Sequence, residues 1–183
     1  KRKDGNSNQN SSNCFHCAYV GSHFVHIHLG AFMMTINIVC VGNLKEKFSR
    51  DEQSEYLKRL SAFCKVNIIE LKEQNKFENV EVIKTKEGEE ILKNLSNFTY
   101  LCDVDGKQFS SMEFAEELNK ASCETSKLTF VIGGSYGVSE EVKKTVNKKI
   151  SFSKMTFPHN LFRIMLLEQI YRAYKIINHE TYH

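Results

Sequence analysis

An α/β fold built on a mostly parallel sheet is what this 183-residue sequence predicts, and three observations carry the prediction. From Thr35 onward, strand-like and helical stretches alternate. Residues 128–132 form an unbroken apolar run of the kind buried on both faces of a parallel sheet. The closing helix is apolar over much of its surface, a width that calls for a core on one side and a second partner on another.

The elements follow in order. Thr35-Ile-Asn-Ile-Val-Cys-Val-Gly42 is the first clean strand. Over 49–63, Tyr56, Leu57, Leu60 and Phe63 share one helical face. Residues 65–71 read as a second strand, and a polar stretch over 72–81 leads to a helix over 82–96 with Ile83, Ile91, Leu92 and Leu95 inward. A strand over 98–104 closes at an Asp105-Gly106 turn. Ser110-x-x-Glu113 is a capping box opening a helix to about 121, with Phe114, Ala115 and Leu118 as its buried stripe. After the 128–132 strand come a helix over 139–148, a short strand over 149–153 and the final helix over 160–177.

Composition narrows the class. Hydrophobic residues at 41% and charged residues at 26% suit a globular chain, and no apolar run approaches the ~18 residues of a membrane span. The single proline and nine glycines exclude collagen-like and Pro/Gly-rich sequences. A net charge of +3 permits an anionic partner without arguing for one. Four of the six cysteines (40, 64, 102 and 123) lie in or beside hydrophobic runs, where a thiol acts as a small apolar group, so a reducing, cytoplasmic setting is expected.

Residues 1–33 are a different text, expected to be a disordered or non-native extension ahead of a start at Met33 or Met34, with the domain over 34–183. Cys14-x-x-Cys17, followed by His23, His26 and His28, has zinc-ligand chemistry. The histidines follow Cys17 by only six to eleven residues, shorter than the usual loop between half-sites, and no metal is expected.

Two segments can carry chemistry. Phe130-Val-Ile-Gly-Gly-Ser-Tyr-Gly137 places glycines after a buried strand, where open α/β sheets bind ligands; it is neither a dinucleotide fingerprint nor a P-loop. Ile150-Ser-Phe-Ser-Lys-Met-Thr-Phe-Pro-His159 runs into the last helix through the only proline. His159 and Arg163 are one turn apart, with capping or packing as the alternative for His159; Glu168 and Arg172 have the spacing of a solvated pair.

These residues carry a resemblance. Ile-Val-Cys-Val-Gly-Asn-Leu-Lys-Glu-Lys47, Lys86-Glu-Gly-Glu-Glu90, Asp103-Val-Asp-Gly-Lys107, the 130–137 and 151–159 blocks, and Glu168-Gln-Ile-Tyr-Arg-Ala-Tyr174 through Tyr182-His183 make residues 34–183 similar to the RlmH family of SPOUT methyltransferases. The resemblance implies a SPOUT-type parallel sheet flanked by helices, with a deep C-terminal trefoil knot. It implies methylation of N3 of a pseudouridine in bacterial 23S ribosomal RNA, by a homodimer acting within the assembled ribosome. It implies bent S-adenosyl-L-methionine as methyl donor, held by Cys102, Gly133 and Phe152, Ser153, Lys154, Met155, Thr156 and Phe157.

Candidate catalytic residues are then His159, Arg163, Arg172, Tyr182 and His183. Histidines titrate in the right range to take the imide proton, Tyr182 can hydrogen-bond the base, and guanidinium forks suit phosphate or base oxygens. Lys143, Lys144, Lys148, Lys149 and Lys154 are candidates for an RNA-facing basic patch, against the plainer reading of a solvated face. A catalytically degenerate SPOUT-fold RNA- or nucleotide-binding protein is the alternative. An unrelated α/β nucleotide binder would take ATP instead of S-adenosylhomocysteine.

Overall fold

A computed structural model describes residues 18–20, 23–25, 33–74 and 76–182. It divides into two units, residues 1–31 and 32–183. Within the first, β1 (Ala18–Val20) and β2 (His23–Val25) pair as an antiparallel hairpin. The expected disorder of the extension and its Cys14/Cys17 motif otherwise fall outside the described residues.

The second unit contains β3 (Thr35–Val41), α1 (Lys47–Leu60), β4 (Lys65–Leu71), α2 (Val80–Leu92), β5 (Phe98–Gln108), α3 (Ser111–Glu124), β6 (Lys127–Ile132), α4 (Glu140–Thr145), β7 (Lys148–Ser151) and α5 (His159–Ile177). The strands form one parallel sheet in the order β4-β3-β6-β5-β7. Strand side chains alternate between two cores. Ile36, Ile38, Cys40, Tyr100, Leu128 and Phe130 meet α1, α3 and α5 on one face. Val39, Val41, Leu101 and Val131 meet α2 and α4 on the other. Period-two burial on both faces explains why these strands read as continuous apolar runs.

Register is held by polar pairs as well as packing. Asn67 Nδ2 donates to Asn37 Oδ1 at 3.0 Å between directly paired residues of β3 and β4. The capping box is formed: Glu113 N–H donates to Ser110 Oγ at 3.3 Å, and Ser110 N–H to Glu113 Oε2 at 2.7 Å. An aromatic chain crosses the first core, with Tyr100 stacked on Phe130 at 5.1 Å and Phe152 against Phe162 at 4.8 Å.

Two expectations need correction. The Asp105-Gly106 turn does not end β5. Asp105 N–H donates to Asp103 Oδ1 at 3.1 Å, so a local turn forms, but it is a bulge after which the strand resumes to Gln108. Cys102 and Lys107 both pair with Ile150, so the intervening residues arch over β7. Gly106 makes this possible, because a Cβ there would lie 2.6 Å from Ile150 N and 2.7 Å from Ile150 Cα. The helix expected over 139–148 stops at Thr145. Asn147 turns the chain into β7 by accepting from Thr99 N–H at 2.7 Å and donating its own N–H to Thr99 O at 3.0 Å.

Two outcomes follow from this packing. Gly106→Ala forces β5 off β7 and should cost about 1–3 kcal/mol or more, measured by urea unfolding; an unchanged midpoint contradicts the close approach. Burial alone would raise the Glu117 carboxyl, but hydrogen bonds from Lys148 at 2.5 Å and Tyr100 at 2.8 Å hold it below the usual carboxylate range. A lowered folded pKa contributes stability that is present above the unfolded value of about 4.3 and disappears as pH falls through the folded value. Stability should therefore fall more steeply on acidification in the native chain than in Glu117→Gln, as followed by denaturation between about pH 5 and 3.

Candidate active site

Beyond the carboxyl ends of β6 and β7, and beside the bulge of β5, lies a cleft of about 750 Å³. One wall is the 132–138 turn after β6; another is the 150–159 segment that leaves β7 and enters α5; residues 101–104 of β5 close the third side. The turn is tight because Gly137 N–H donates to Gly134 O at 3.0 Å, and a Cβ on Gly133 would lie 2.8 Å from Val138 Cγ1. The backbone is thereby exposed to whatever fills the cleft. Leu101, Ile132, Phe152 and Phe157 supply apolar surface, Ser135, Ser153 and Thr156 hydroxyls, and Asp103, Lys84 and Lys143 charge.

Of the expected donor-pocket residues, Cys102, Gly133, Phe152, Ser153, Met155, Thr156 and Phe157 line this cleft. Lys154 is the exception: it is exposed and turned out of the lining. Burial pushes the Cys102 thiol well above its ordinary value, with Cys40 and Asp103 adding to the effect, so the group stays a neutral thiol.

The candidate catalytic residues separate into three places. His159 lines the cleft as the first residue of α5, with Nε2 3.7 Å from Glu73 Oε1. Arg163, one turn later, has a completely buried side chain and does not line the cleft. Its Nη2 donates to Gly42 O at 2.8 Å and its Nη1 to Glu70 Oε1 at 2.5 Å and Gln53 Oε1 at 3.4 Å. The α5 turn that presents His159 points Arg163 inward, and its fork is used on the ends of β3 and β4.

Arg172 and Tyr182 form the third group. Arg172 donates to Glu168 Oε1 from Nε at 3.0 Å and Nη2 at 2.6 Å, and its guanidinium lies 4.6 Å over the Tyr182 ring. Tyr182 meets Tyr171 edge-on at 5.1 Å, and burial pushes its hydroxyl up to about 12, with Glu168 and Tyr56 adding to it. Arg172 is thirteen residues after His159 on one helix, about 20 Å along the axis, so one chain does not bring the two together. His183 lies outside the described residues.

Among the lysines of the expected patch, Lys143 pairs with Glu140 at 2.9 Å and Lys148 with Glu117, which leaves less unpaired charge than the sequence count suggests. Among the described residues no group of three or more His, Cys, Asp or Glu is placed to hold a metal ion. None of the described helices is long and apolar enough to cross a membrane. Sequence reasoning did not single out Glu70 and Glu73, whose only signal was position, a carboxylate at or just after the carboxyl end of β4.

A parallel sheet, a glycine turn and a cleft at the strand ends are the architecture in which open α/β proteins bind ligands. Comparison narrows this. The family model described as "Predicted SPOUT methyltransferase" matches residues 34–183. Relatives named ribosomal RNA large subunit methyltransferase H are 47% identical in Caldicellulosiruptor saccharolyticus, over 81% of this chain and 99% of that protein. They are 49% identical in Clostridium tetani and 48% in Bacillus thuringiensis, each over 82% of this chain and 99% of the relative. The chain belongs to the SPOUT methyltransferase family.

Replacing Arg163 by methionine should cost about 3 kcal/mol, because it strands the Gly42 carbonyl and leaves Glu70 without its cation. Urea denaturation measures this; a loss under about 0.5 kcal/mol, the scale of an unimportant surface change, contradicts the bracing role.

Proposed function

We propose that this protein methylates N3 of a pseudouridine in large-subunit ribosomal RNA, using S-adenosylmethionine as donor. The observation that carries the reading is the cleft between the glycine turn and the 150–159 segment, in a chain that matches the methyltransferase H relatives over nearly their whole length. The volume is in the range of small-molecule pockets. Its contents suit the donor: apolar side chains for the adenine, hydroxyls and turn backbone for the ribose, and Asp103 with Lys84 and Lys143 for the oppositely charged ends of the methionine part. In this reading the C-terminal segment is threaded as the deep trefoil knot of the family.

The donor, when bound, supplies a methyl group already activated on a sulfonium. The protein's residues have two remaining tasks, alignment and proton removal. Alignment falls to the rigid walls of the cleft and is worth up to about 7–11 kcal/mol in ideal cases. Proton removal from the imide falls to His159, the histidine that lines the cleft, and a positioned base contributes about 10²–10⁴-fold.

Arg172, Tyr182 and His183 belong to the RNA-facing part of the site in a homodimer. An apolar groove of about 480 Å³ on the α1/α3/α5 face, lined by Tyr56, Phe114, Phe152, Leu161, Ile164 and Met165, favours a second copy on that face. The 20 Å separation within one chain favours it too, since a second copy can bring its own α5 end toward a cleft. A ribosomal surface inside the cytoplasm, read by shape and phosphate contacts, is the expected partner.

The test is incubation with methyl-labelled S-adenosylmethionine and large ribosomal subunits lacking the modification. Label should enter ribosomal RNA at pseudouridine N3, and His159→Ala should lower kcat by about 10²-fold or more. Donor binding with no label in RNA, or an unchanged rate in the variant, contradicts the assignment.

A further inference from the structure

We propose that Glu73 is a positioning residue for His159, and that the acid–imidazole pair is built into the ends of the strands rather than being a chance surface contact. The proposal rests on the methyl-transfer reading for what His159 does, and on the geometry alone for how the pair is held.

The pair meets over Gly42, the residue that follows β3. Gly42 has φ +93°, and a Cβ on it would lie 3.0 Å from Glu73 Oε1 and 3.2 Å from His159 Nε2. Any other residue there would be strained in its backbone and would press on both partners. The imidazole and carboxylate are each only a quarter exposed and stand 3.7 Å apart, which one bridging water or a small ring movement turns into a hydrogen bond.

Each partner is anchored from behind. On the carboxylate side, the next residue, Gln74, donates its N–H to Glu87 Oε1 at 3.0 Å. Glu87 is only 5% exposed, and it sits under the glycine turn, where a Cβ on Gly134 would be 2.9 Å from Glu87 Oε2. Glu87 Oε2 has no hydrogen-bond partner among the described residues. Burial raises this carboxyl, against the Gln74 N–H that lowers it, and the charge of Glu73 raises it further. On the imidazole side, Arg163 ties the first turn of α5 to the Gly42 carbonyl. The carboxylate is thereby referenced, through Glu87 of α2, to the glycine turn after β6, and the imidazole to the residue that follows β3, the strand paired with β6.

An exposed ion pair contributes about 0–1 kcal/mol and does not orient anything. A pair braced on both sides, at the lip of a cleft, limits ring rotation and presents one face of His159 to whatever occupies the cleft. Orientation of this kind is felt in the reaction rate, where an ångström of misplacement costs on the order of 10²-fold.

Four proteins test it: the native chain, Glu73→Gln, His159→Asn and the double variant, each assayed on large ribosomal subunits at saturating donor. Glu73→Gln should lower kcat by about tenfold or more in the native background and by less than about twofold in the His159→Asn background, with KM and donor affinity little changed. Equal losses in both backgrounds, or a loss confined to KM, overturns the proposal. The His159 imidazole ¹H–¹⁵N signals, identified by their disappearance in His159→Asn, give a readout that needs no turnover. They should move in Glu73→Gln, and unmoved signals overturn the pairing even if the native chain methylates nothing.

Discussion

The buried guanidinium of Arg163 is the constraint on which the site depends. It is wholly removed from solvent, and its fork takes the Gly42 carbonyl at 2.8 Å and the Glu70 carboxylate at 2.5 Å. Burying such a group without partners costs several kcal/mol, so α5 can start only where both oxygens are in reach. Glu70 in turn accepts from Leu44 N–H at 3.3 Å, which carries the constraint into the loop after β3. The start of α5 fixes His159, and with it the path of the 150–159 segment along the cleft. Packing, charge and site geometry are here one arrangement.

The sheet extends the same logic. Five parallel strands with helices on both faces leave their carboxyl ends clear of helices, and the loops gathered there form the cleft. β5 contributes twice: before its bulge it supplies Leu101 and Cys102 to the lining, and after it the strand returns to β7 beyond Gly106. The bulge thus opens space at the strand ends without giving up the pairing that holds β7 in place.

Much of the fold was legible because period-two and period-3.6 burial are strong signals on both faces of a parallel sheet. The capping box at Ser110 and Glu113 formed as its spacing required, and β4 ended where its apolar run did. The misreadings have local physical causes. Asp-Gly ordinarily marks a turn, and it made one, yet the ladder with Ile150 resumes beyond it. Asn147 looks like a helical residue by pattern, but its bonds to Thr99, 48 positions away, claim it for the strand. In the site, the 151–159 block and the glycine turn were visible because unusual residue types cluster there. The burial of Arg163 was not legible, because an arginine beside a site gives no pattern that separates a core brace from a ligand contact. Glu73 was invisible because the polar 72–81 stretch gives no pattern, and its importance comes from Gly42, 31 positions earlier in the chain.

The most direct measurement is a crystal structure of the chain with S-adenosylhomocysteine. The account predicts the ligand between the glycine turn and the 152–157 segment, in contact with Cys102 and Gly133, with His159 at the open edge still facing Glu73. Ligand bound elsewhere, as in the α1/α3/α5 groove, or an Arg163 side chain swung out of the core to meet it, would contradict the central claim.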